Sequence, residues 1–418
     1  MEQLRILLQF IRTRWFSRFP TEAAVHRHQQ KKLKKQQEFL RRHCAFYRDC
    51  AQFPMIDKTV WMEQFDNINT VGLHRADAER FAMQCEQTRE FGEKLQGVTV
   101  GLSSGTSGHR GVFLVSDRER VLWAGTMLAK ALPKRRLLGT KIAFFMRADS
   151  KLYETVNSRA IQFRFFDMQQ DMRCHLHALE AFAPTLLVAP PSCLLEIAKW
   201  NTKPRIRPLK VISIAEVLEP SDAAVIKAAF GVDVVHQVYQ CTEGFLGATC
   251  ACGTLHINED VILMEKEWLD ERRFIPIITD LERRAQPIVR YRLNDVLVVK
   301  NEPCKCGSPF LAIEKIEGRQ DDCFVFSGND GPVSVFPDFI RRCILFADGV
   351  GEYRVQQVSA GKIRVLADGL DDMAKQQITG AFRQLAAERG FQMPEIAFEP
   401  YAYRRERKLK RVENLCCM

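Results

Sequence analysis

Residues 103–111 read Ser-Ser-Gly-Thr-Ser-Gly-His-Arg-Gly and join two short β-branched runs, 98–102 and 112–115. Both runs are bounded by turn residues and predict strands. A loop this rich in glycine and hydroxyls lets successive backbone N–H groups converge on an anion, with Ser and Thr oxygens adding further donors. Triphosphate is the guest it suits. The stretch is not a Walker A sequence, which needs Gly-Lys-Ser/Thr, and it is not a dinucleotide fingerprint opening a helix. Taken alone, it reads equally as an ordinary hairpin loop.

Outward from this loop the pattern alternates. Ser116 with Glu119 makes a capping box for a helix running toward Leu132. Residues 141–146, 186–189, 211–215 and 232–236 read as strands. Between them, Ser192 is placed to cap a helix ending near Trp200, and Ser221 to start one that Gly231 stops. Strands separated by helices predict an α/β layered fold with substantial parallel sheet. Residues 1 to about 95 read as mainly helical, with breaks at Pro54 and 66–69. The character changes near Gly318. Beyond it come short strands at 354–358, 362–367 and 395–398 and a helix over 371–389. The expected organisation is a large N-terminal domain over 1–317, a hinge over 318–322 and a small mobile α/β domain over 323–418.

Composition narrows the class. The chain has 418 residues, 46% hydrophobic and 27% charged, which excludes a disordered chain. No apolar run approaches the ~20 residues needed to cross a bilayer. Near the N-terminus, Leu4, Leu7, Leu8, Phe10, Ile11, Trp15 and Phe16 are interrupted by Arg5, Arg12, Arg14 and Arg18. That pattern is no secretory leader. It suits an amphipathic helix, expected to pack on its own domain, with membrane contact as the alternative. The net charge of +10 gathers at 31–35 with Arg41 and Arg42, and at 404–411. No aromatic-basic interleaving accompanies it, so solvated basic faces are expected and no nucleic-acid partner. Fourteen cysteines without a leader point to a reducing, cytoplasmic setting and to thiols or metal ligands.

Four motifs follow the loop in order: Tyr239-Gln240-Cys241-Thr242-Glu243, Arg290-Tyr291-Arg292-Leu293-Asn294-Asp295, Gly318-Arg319-Gln320-Asp321-Asp322, and Arg407-Lys408-Leu409-Lys410-Arg411. Each is weak alone, since Glu243 could cap a helix, Asp295 could close a turn and Lys408 could belong to a solvated run. As an ordered set they resemble the acyl-adenylate-forming (ANL) superfamily. The likeness is to its phenylacetate–CoA ligase-like branch, with the synthetases that adenylate the deazaflavin coenzyme nearest. It spans nearly the whole chain, including 40–47 and Pro54-Met55-Ile56-Asp57-Lys58.

The resemblance implies a set of roles. Ser103, Ser104, Gly105, Thr106, Ser107 and Gly108 would hold the β- and γ-phosphates of ATP. Thr242 and Glu243 would meet the α-phosphate and Mg²⁺, a hard cation suited to carboxylate and phosphate oxygens. Tyr239 would lie against adenine, with Ala215 and Glu216 along its edge. Asp295 would accept from the ribose hydroxyls, Arg319 would assist near ribose and phosphate, and Asp321 would be the hinge. Lys408 matches the lysine that bridges substrate carboxylate and phosphate. Here the chain departs from the family: Arg407 stands where glycine is usual, which leaves Lys408 and Lys410 both open, and His109-Arg110 replace Pro-Lys. The implied reaction is AMP-forming activation of an aromatic or fatty carboxylic acid, then transfer to the thiol of CoA or a carrier-protein phosphopantetheine. Adenylyl transfer to a cofactor-like acceptor, or a degenerate ATP-binding scaffold, are the alternatives. From chain position, Met146, Tyr153, Phe165, Phe166, Pro191 and 215–218 are candidate pocket walls.

A second constellation reads as a metal site. Cys250-Ala251-Cys252-Gly253 with His256, and Cys304-Lys305-Cys306-Gly307, can build a tetrahedral structural zinc site. Five donors compete for four positions, with Cys252 or His256 the first to be dropped. Relatives in the same branch carry a Cys/His pair and a Cys-x-Cys pair at a similar place. Two reduced turns without metal are the alternative.

Overall fold

The computed structural model describes residues 2–416 apart from 89, 91, 104–109, 134–138, 147–160, 169, 330, 346 and 402–409. Ser104 to Gly108, Tyr153 and Lys408 therefore lie outside the described residues. The chain divides into two units, Met1–Leu293 with Val299–Lys315, and Asn294–Val298 with Ile316–Met418.

The first unit opens with helices α1 (Glu2–Ile11), α2 (Glu22–His43), α3 (Lys58–Glu63), α4 (Phe65–Ile68) and α5 (Arg75–Thr88). A hairpin follows, β1 (Thr99–Leu102) with β2 (Val112–Val115), paired Leu102↔Val112 across the loop. Helix α6 (Asp117–Ala131) then starts at Ser116, where the expected capping box with Glu119 is present. Next come β3 (Thr140–Met146), β4 (Ile161–Asp167), β5 (Leu186–Ala189), β6 (Lys210–Ser213), β7 (Val235–Cys241), β8 (Gly244–Thr249) and β9 (Leu255–Ile257). They lie in the order β4-β3-β5-β6-β7-β8-β9. Pairings from β4 to β7 are parallel, and those from β7 to β9 antiparallel.

Alternation along the strands gives this sheet two buried faces. Ala143, Phe145, Leu187, Ala189, Val211 and Val235 pack under the helices Met172–Phe182, Pro191–Trp200 and Pro220–Phe230. Ile142, Phe144, Leu186, Val188 and Ile212 face the opposite way, against α6 and α1. The same alternation corrects one pocket wall. Phe166 is buried with Phe145 in the first core, their rings stacked 4.6 Å apart, while Phe165 and Met146 belong to the second face. His175 is satisfied, its Nε2–H donating to the Asp167 carbonyl at 2.8 Å.

Helix starts differ from expectation in a consistent way. Ser192 and Ser221 are not caps, because Pro191 and Pro220 open their helices and no side chain caps either. Proline's missing N–H and fixed φ favour that first position over the serine that follows. Gly231 does stop its helix, left-handed at φ +66°. The strand read at 232–236 begins only at Val235. Farther on, β10 (Ile262–Trp268) and β11 (Arg273–Asp280) form a long hairpin, and β12 (Tyr291–Arg292) pairs with β11. Neither hairpin strand was read from sequence; Glu265, Lys266 and Glu267 interrupt β10, and Pro276 breaks the apolar run of β11.

In the second unit, β13 (Asp295–Val299) is mainly contained, and β14 (Ala312–Arg319) ends there. β15 (Phe324–Gly328) and β16 (Gly331–Val335) pair as a hairpin. A sheet of β17 (Tyr353–Ser359), β18 (Lys362–Ala367), β19 (Glu395–Pro400) and β20 (Val412–Asn414) runs in the order β19-β18-β17-β20. Its core joins Val355, Ile363 and Val365 to Ile378 and Phe382 of the helix Asp372–Arg389. Asp371 caps that helix at its start and Gly390 turns left-handed at its end.

Helix α6 meets α1 at Gly125, where an added Cβ would lie 2.7 Å from Gln9 Cβ and 2.8 Å from the Ile6 carbonyl oxygen. Gly125→Val should therefore push α1 off α6, costing about 1–3 kcal/mol by overpacking. Urea denaturation of the variant measures it, and an unchanged midpoint would contradict this packing.

Candidate functional site

Parallel strands β5, β6 and β7 are neighbours, so their C-terminal ends lie along one edge of the sheet. Ligands of open α/β sheets bind outside such an edge. The segments leaving it are Pro190–Ser192, Ile214–Glu216 and the tip Thr242–Glu243, which joins β7 to β8 across the Cys241↔Gly244 pair. Two motifs singled out in the sequence, Ala215-Glu216 and Thr242-Glu243, thus come together by topology.

The edge carries strain and unspent polarity. Ala215 is held at φ +66°, a region a non-glycine residue enters at a cost of about 1–3 kcal/mol and one that clusters at functional sites. The Glu216 carboxylate accepts from the Ser192 backbone N–H at 3.3 Å, at the start of the helix Pro191–Trp200. Among the described residues, the buried hydroxyls of Ser192 and Ser213 have no hydrogen-bond partner. Unpaired buried hydroxyls cost free energy that a bound polar group would restore. Ser192 and Ser213 were missed as site residues; the only sequence signal was their position just past an apolar strand. Tyr239 is buried in β7, opposite Gly247.

The Thr242–Glu243 tip is held from a single segment. Arg283, buried, donates from Nη1 to the Thr242 and Glu243 carbonyls at 2.8 and 3.1 Å. Asp280 Oδ1 accepts from the Glu282 and Arg283 N–H groups at 2.9 and 3.1 Å. Glu119, beyond its capping role, accepts from the Ala285 N–H at 2.8 Å and from that of Arg284. Gln286 binds β2 on both sides, through the Leu114 N–H at 2.8 Å and the Val112 carbonyl at 3.4 Å. The β1–β2 hairpin and the Thr242–Glu243 tip therefore share one anchor.

Glu243 itself accepts from the Tyr291 hydroxyl at 3.1 Å. Burial, and then the neighbouring Glu243 carboxylate, push the Tyr291 phenol far above its ordinary value, so it stays a donor. Tyr291 is seated edge-on against Trp61 and bridged to Ile56, which brings the Pro54–Lys58 motif to the Arg290–Asp295 motif. At the mouth of the glycine-serine loop, the Ser103 N–H meets the Gly111 carbonyl at 2.7 Å, and the Gly111 N–H returns to Ser103 Oγ at 2.7 Å. Arg110 is forked onto Glu86, with Nη1 at 2.6 Å from Oε2, so its charge is not held in reserve for an anion.

Asp295, Arg319 and Asp321 gather within the second unit. Arg319 Nε lies 3.9 Å from Asp295 Oδ1, and the Asn294 amide donates to the Asp321 carboxylate. Lys410 Nζ is 2.9 Å from the buried Asp322 carboxylate. That pairing gives Lys410 a structural task.

A separate cluster forms where β8–β9 and the turn at 304–307 meet. The ligand atoms of Cys250, His256, Cys304 and Cys306 all lie within 4.8 Å of one another. Cys250 and Cys304 sulfurs are 3.7 Å apart, and Cys306 Sγ is 3.4 Å from His256 Nε2. Zn–S bonds of ~2.3 Å at a tetrahedral angle place sulfurs ~3.8 Å apart, so the set fits zinc. His256 Nδ1–H donates to the Phe310 carbonyl at 2.9 Å, which leaves Nε2 as the lone-pair nitrogen. Cys252 is not one of these four; its N–H donates to Cys250 Sγ at 3.3 Å, and its thiol also interacts with those of Cys250 and Cys304.

No family profile and no curated protein sequence matches the chain. Solved structures match its fold. 2-Hydroxyisobutyryl-CoA ligase, in a postadenylation state with its acyl-AMP, aligns at a TM-score of 0.66 and 17% identity, over 94% of this chain and 89% of that one. The amide bond synthetase McbA from Marinactinospora thermotolerans aligns at 0.54 and 12%, over 75% and 67%. ATP-bound MatB from Rhodopseudomonas palustris aligns at 0.51 and 16%, over 73% and 64%. The expected fold class is the one these proteins share.

Asp280 supplies a pH test. Desolvation pushes its carboxyl up to about 6 despite the two N–H groups and Arg283. The folded chain then keeps a proton that the unfolded chain, near ~3.9, has lost. The stabilisation is present below pH ~4 and is lost as pH rises toward 6. Urea titrations should find wild type losing stability relative to Asp280→Asn across that window; wild type gaining stability relative to the variant as pH rises would refute the assignment.

Proposed function

We propose that the protein is an ATP-dependent, AMP-forming enzyme that activates a carboxylic acid as an acyl-adenylate and passes the acyl group to a thiol of CoA or of a carrier-protein phosphopantetheine. What carries the reading is the sheet edge. A strained Ala215, two unpartnered hydroxyls and a rigid Thr-Glu tip converge there, in a fold whose solved examples include one holding an acyl-AMP.

In this reading a carboxylate oxygen of the acid attacks the α-phosphorus of ATP. The bond to the β-phosphate oxygen breaks, and pyrophosphate leaves with the electron pair. A thiolate then attacks the acyl carbonyl and AMP departs. Ser103 and the loop through Gly108 hold the β- and γ-phosphates by backbone N–H groups and hydroxyls. Thr242 orients the α-phosphate, and Glu243, its carboxylate fixed by Tyr291, holds Mg²⁺, which neutralises phosphate charge when bound. Ala215, Glu216 and Tyr239 line the adenine side. Asp295 takes the ribose hydroxyls with Arg319 beside it, and Asp321 serves as hinge. Lys408 supplies the cation between the two reacting anions.

Lys410 is the poorer choice for that last role, because Asp322 already holds it. Lys408→Ala should lower acid-dependent pyrophosphate exchange by about 10²–10³-fold, the scale of one lost electrostatic stabiliser. Lys410→Ala should instead cost stability, by about 1–3 kcal/mol, through a buried carboxylate left unpaired. Exchange measured over a panel of acids, with CoA and a carrier protein supplied in turn, tests the whole reading. A stable AMP adduct formed without any thiol would make the protein an adenylyltransferase, and failure to take up nucleotide would make it a scaffold.

The sulfur-imidazole cluster is read as a structural zinc site of Cys250, His256, Cys304 and Cys306. Its shell is closed and leaves no coordination position for chemistry. Gly253 and Gly307, both left-handed, shape the two turns that present the thiols. Native mass spectrometry should find one zinc per chain, retained in Cys252→Ser and lost in Cys306→Ser; zinc lost equally from both variants would reject this ligand set.

A further inference from the structure

Helix α1 and the π-turn after it (Arg12–Phe16) have two apolar faces, and only one is covered. Ile6 and Phe10 are buried against Val121, Ala124 and Leu128 of α6. Arg14 reaches inward and donates to the Ala129, Leu132 and Pro133 carbonyls at 2.8, 3.0 and 2.5 Å. Glu2 is paired with Arg120. The segment is thus fastened along its length.

The other face looks out. Leu4, Leu7 and Leu8 are 59, 50 and 57% exposed, and Trp15 and Phe16 are 44 and 78% exposed. Leu4, Leu7 and Leu8 follow the i, i+3, i+4 spacing of one helical stripe, which the π-turn extends with the two aromatics. Large apolar side chains grouped in this way, without a core beneath them, mark a docking surface.

Charge selects the occupant. From Gln3 to Thr21 the sequence has four arginines and no Asp or Glu. Arg14 is spent on α6, while Arg5, Arg12 and Arg18 are exposed. The one acid of α1, Glu2, is neutralised by Arg120. An apolar stripe rimmed by cations alone, with Trp at its end, matches a bilayer interface carrying anionic headgroups. A face of the same chain would present the same cations to each other. No described helix is long and apolar enough to cross a membrane, so attachment would be in the plane of the interface.

We propose that α1 and its π-turn dock the protein on an anionic membrane surface, with Leu4, Leu7, Leu8, Trp15 and Phe16 entering the headgroup–acyl boundary and Arg5, Arg12 and Arg18 meeting the lipid phosphates.

The test is cosedimentation of the full chain with vesicles of phosphatidylcholine alone, or of phosphatidylcholine mixed with phosphatidylglycerol. Wild type should bind the mixed vesicles more tightly, lose binding as salt rises, and shift its fluorescence to the blue by an amount that Trp15→Phe diminishes. Arg5→Gln and Arg12→Gln should each weaken binding about fivefold. Leu4→Ser with Leu8→Ser should weaken it by more than ~10-fold while preserving the circular dichroism spectrum, since both side chains lie off the core. Absence of binding to mixed vesicles, or binding unchanged by the leucine pair, would overturn the proposal. So would sedimentation velocity showing that the face holds two copies together and that the leucine pair separates them.

Discussion

The buried guanidinium of Arg283 is the interaction on which the candidate site depends. A two-residue hairpin tip has few means of fixing its own position. Here both tip carbonyls, of Thr242 and Glu243, accept from one buried planar donor. Arg283 is in turn set by backbone: Asp280 pins the N–H groups at 282 and 283, and Glu119 pins those at 284 and 285. Gln286 extends the same segment to β2. A helix cap, a loop and two hairpins are thereby one mechanical unit. A local change at Glu119 should reach Glu243 through it without any contact between them.

Much of this was legible in the sequence, and what was not has a physical cause. The α6 capping box, the β1–β2 hairpin and the strand 186–189 were plain because local signals and tertiary packing agree there. Ser192 misled because two local rules competed, and proline at the first helical position displaced serine capping. The role of Glu119 in holding 284 and 285 could not be read, because a capping residue gives no hint of a second partner 165 residues away. β10 and β11 were hidden for another reason. β10 carries Glu265, Lys266 and Glu267, whose charges look like loop, but Arg290 and Arg292 pair Glu265 and Glu267 across the sheet; β11 holds Pro276, which argues against a strand. The roles expected of Asp295, Arg319 and Asp321 were implied by the family resemblance, and the structure adds that these residues gather within one unit.

The thiol cluster illustrates the reverse case, in which sequence gave a surplus. Five donors in two tight turns could not be ranked by spacing. Geometry ranks them: the ligand atoms of Cys250, His256, Cys304 and Cys306 are mutually close while Cys252 is left to support the neighbouring sulfurs, and the Phe310 carbonyl fixes the tautomer of His256. A backbone acceptor 54 residues from the imidazole is invisible to any motif, yet it decides which nitrogen is available.

Four cations of the proposed site's motifs and their supports are each already engaged. Arg110 is forked onto Glu86, Arg283 serves carbonyls, Arg319 faces Asp295 and Lys410 is paired with Asp322. In the proposed reading, recognition along the sheet edge would fall to dipoles, among them the hydroxyls of Ser192, Ser213 and Thr242. Fixed dipoles bind a polyanion without first surrendering a salt bridge, and they need little reorganisation as its charge shifts during reaction. A cation arriving late, such as Lys408, would then act on the reacting state more than on the bound nucleotide. That is the condition under which binding energy lowers a barrier. The exposed cations Arg5, Arg12 and Arg18 lie beside an apolar helix face that the described residues leave uncovered.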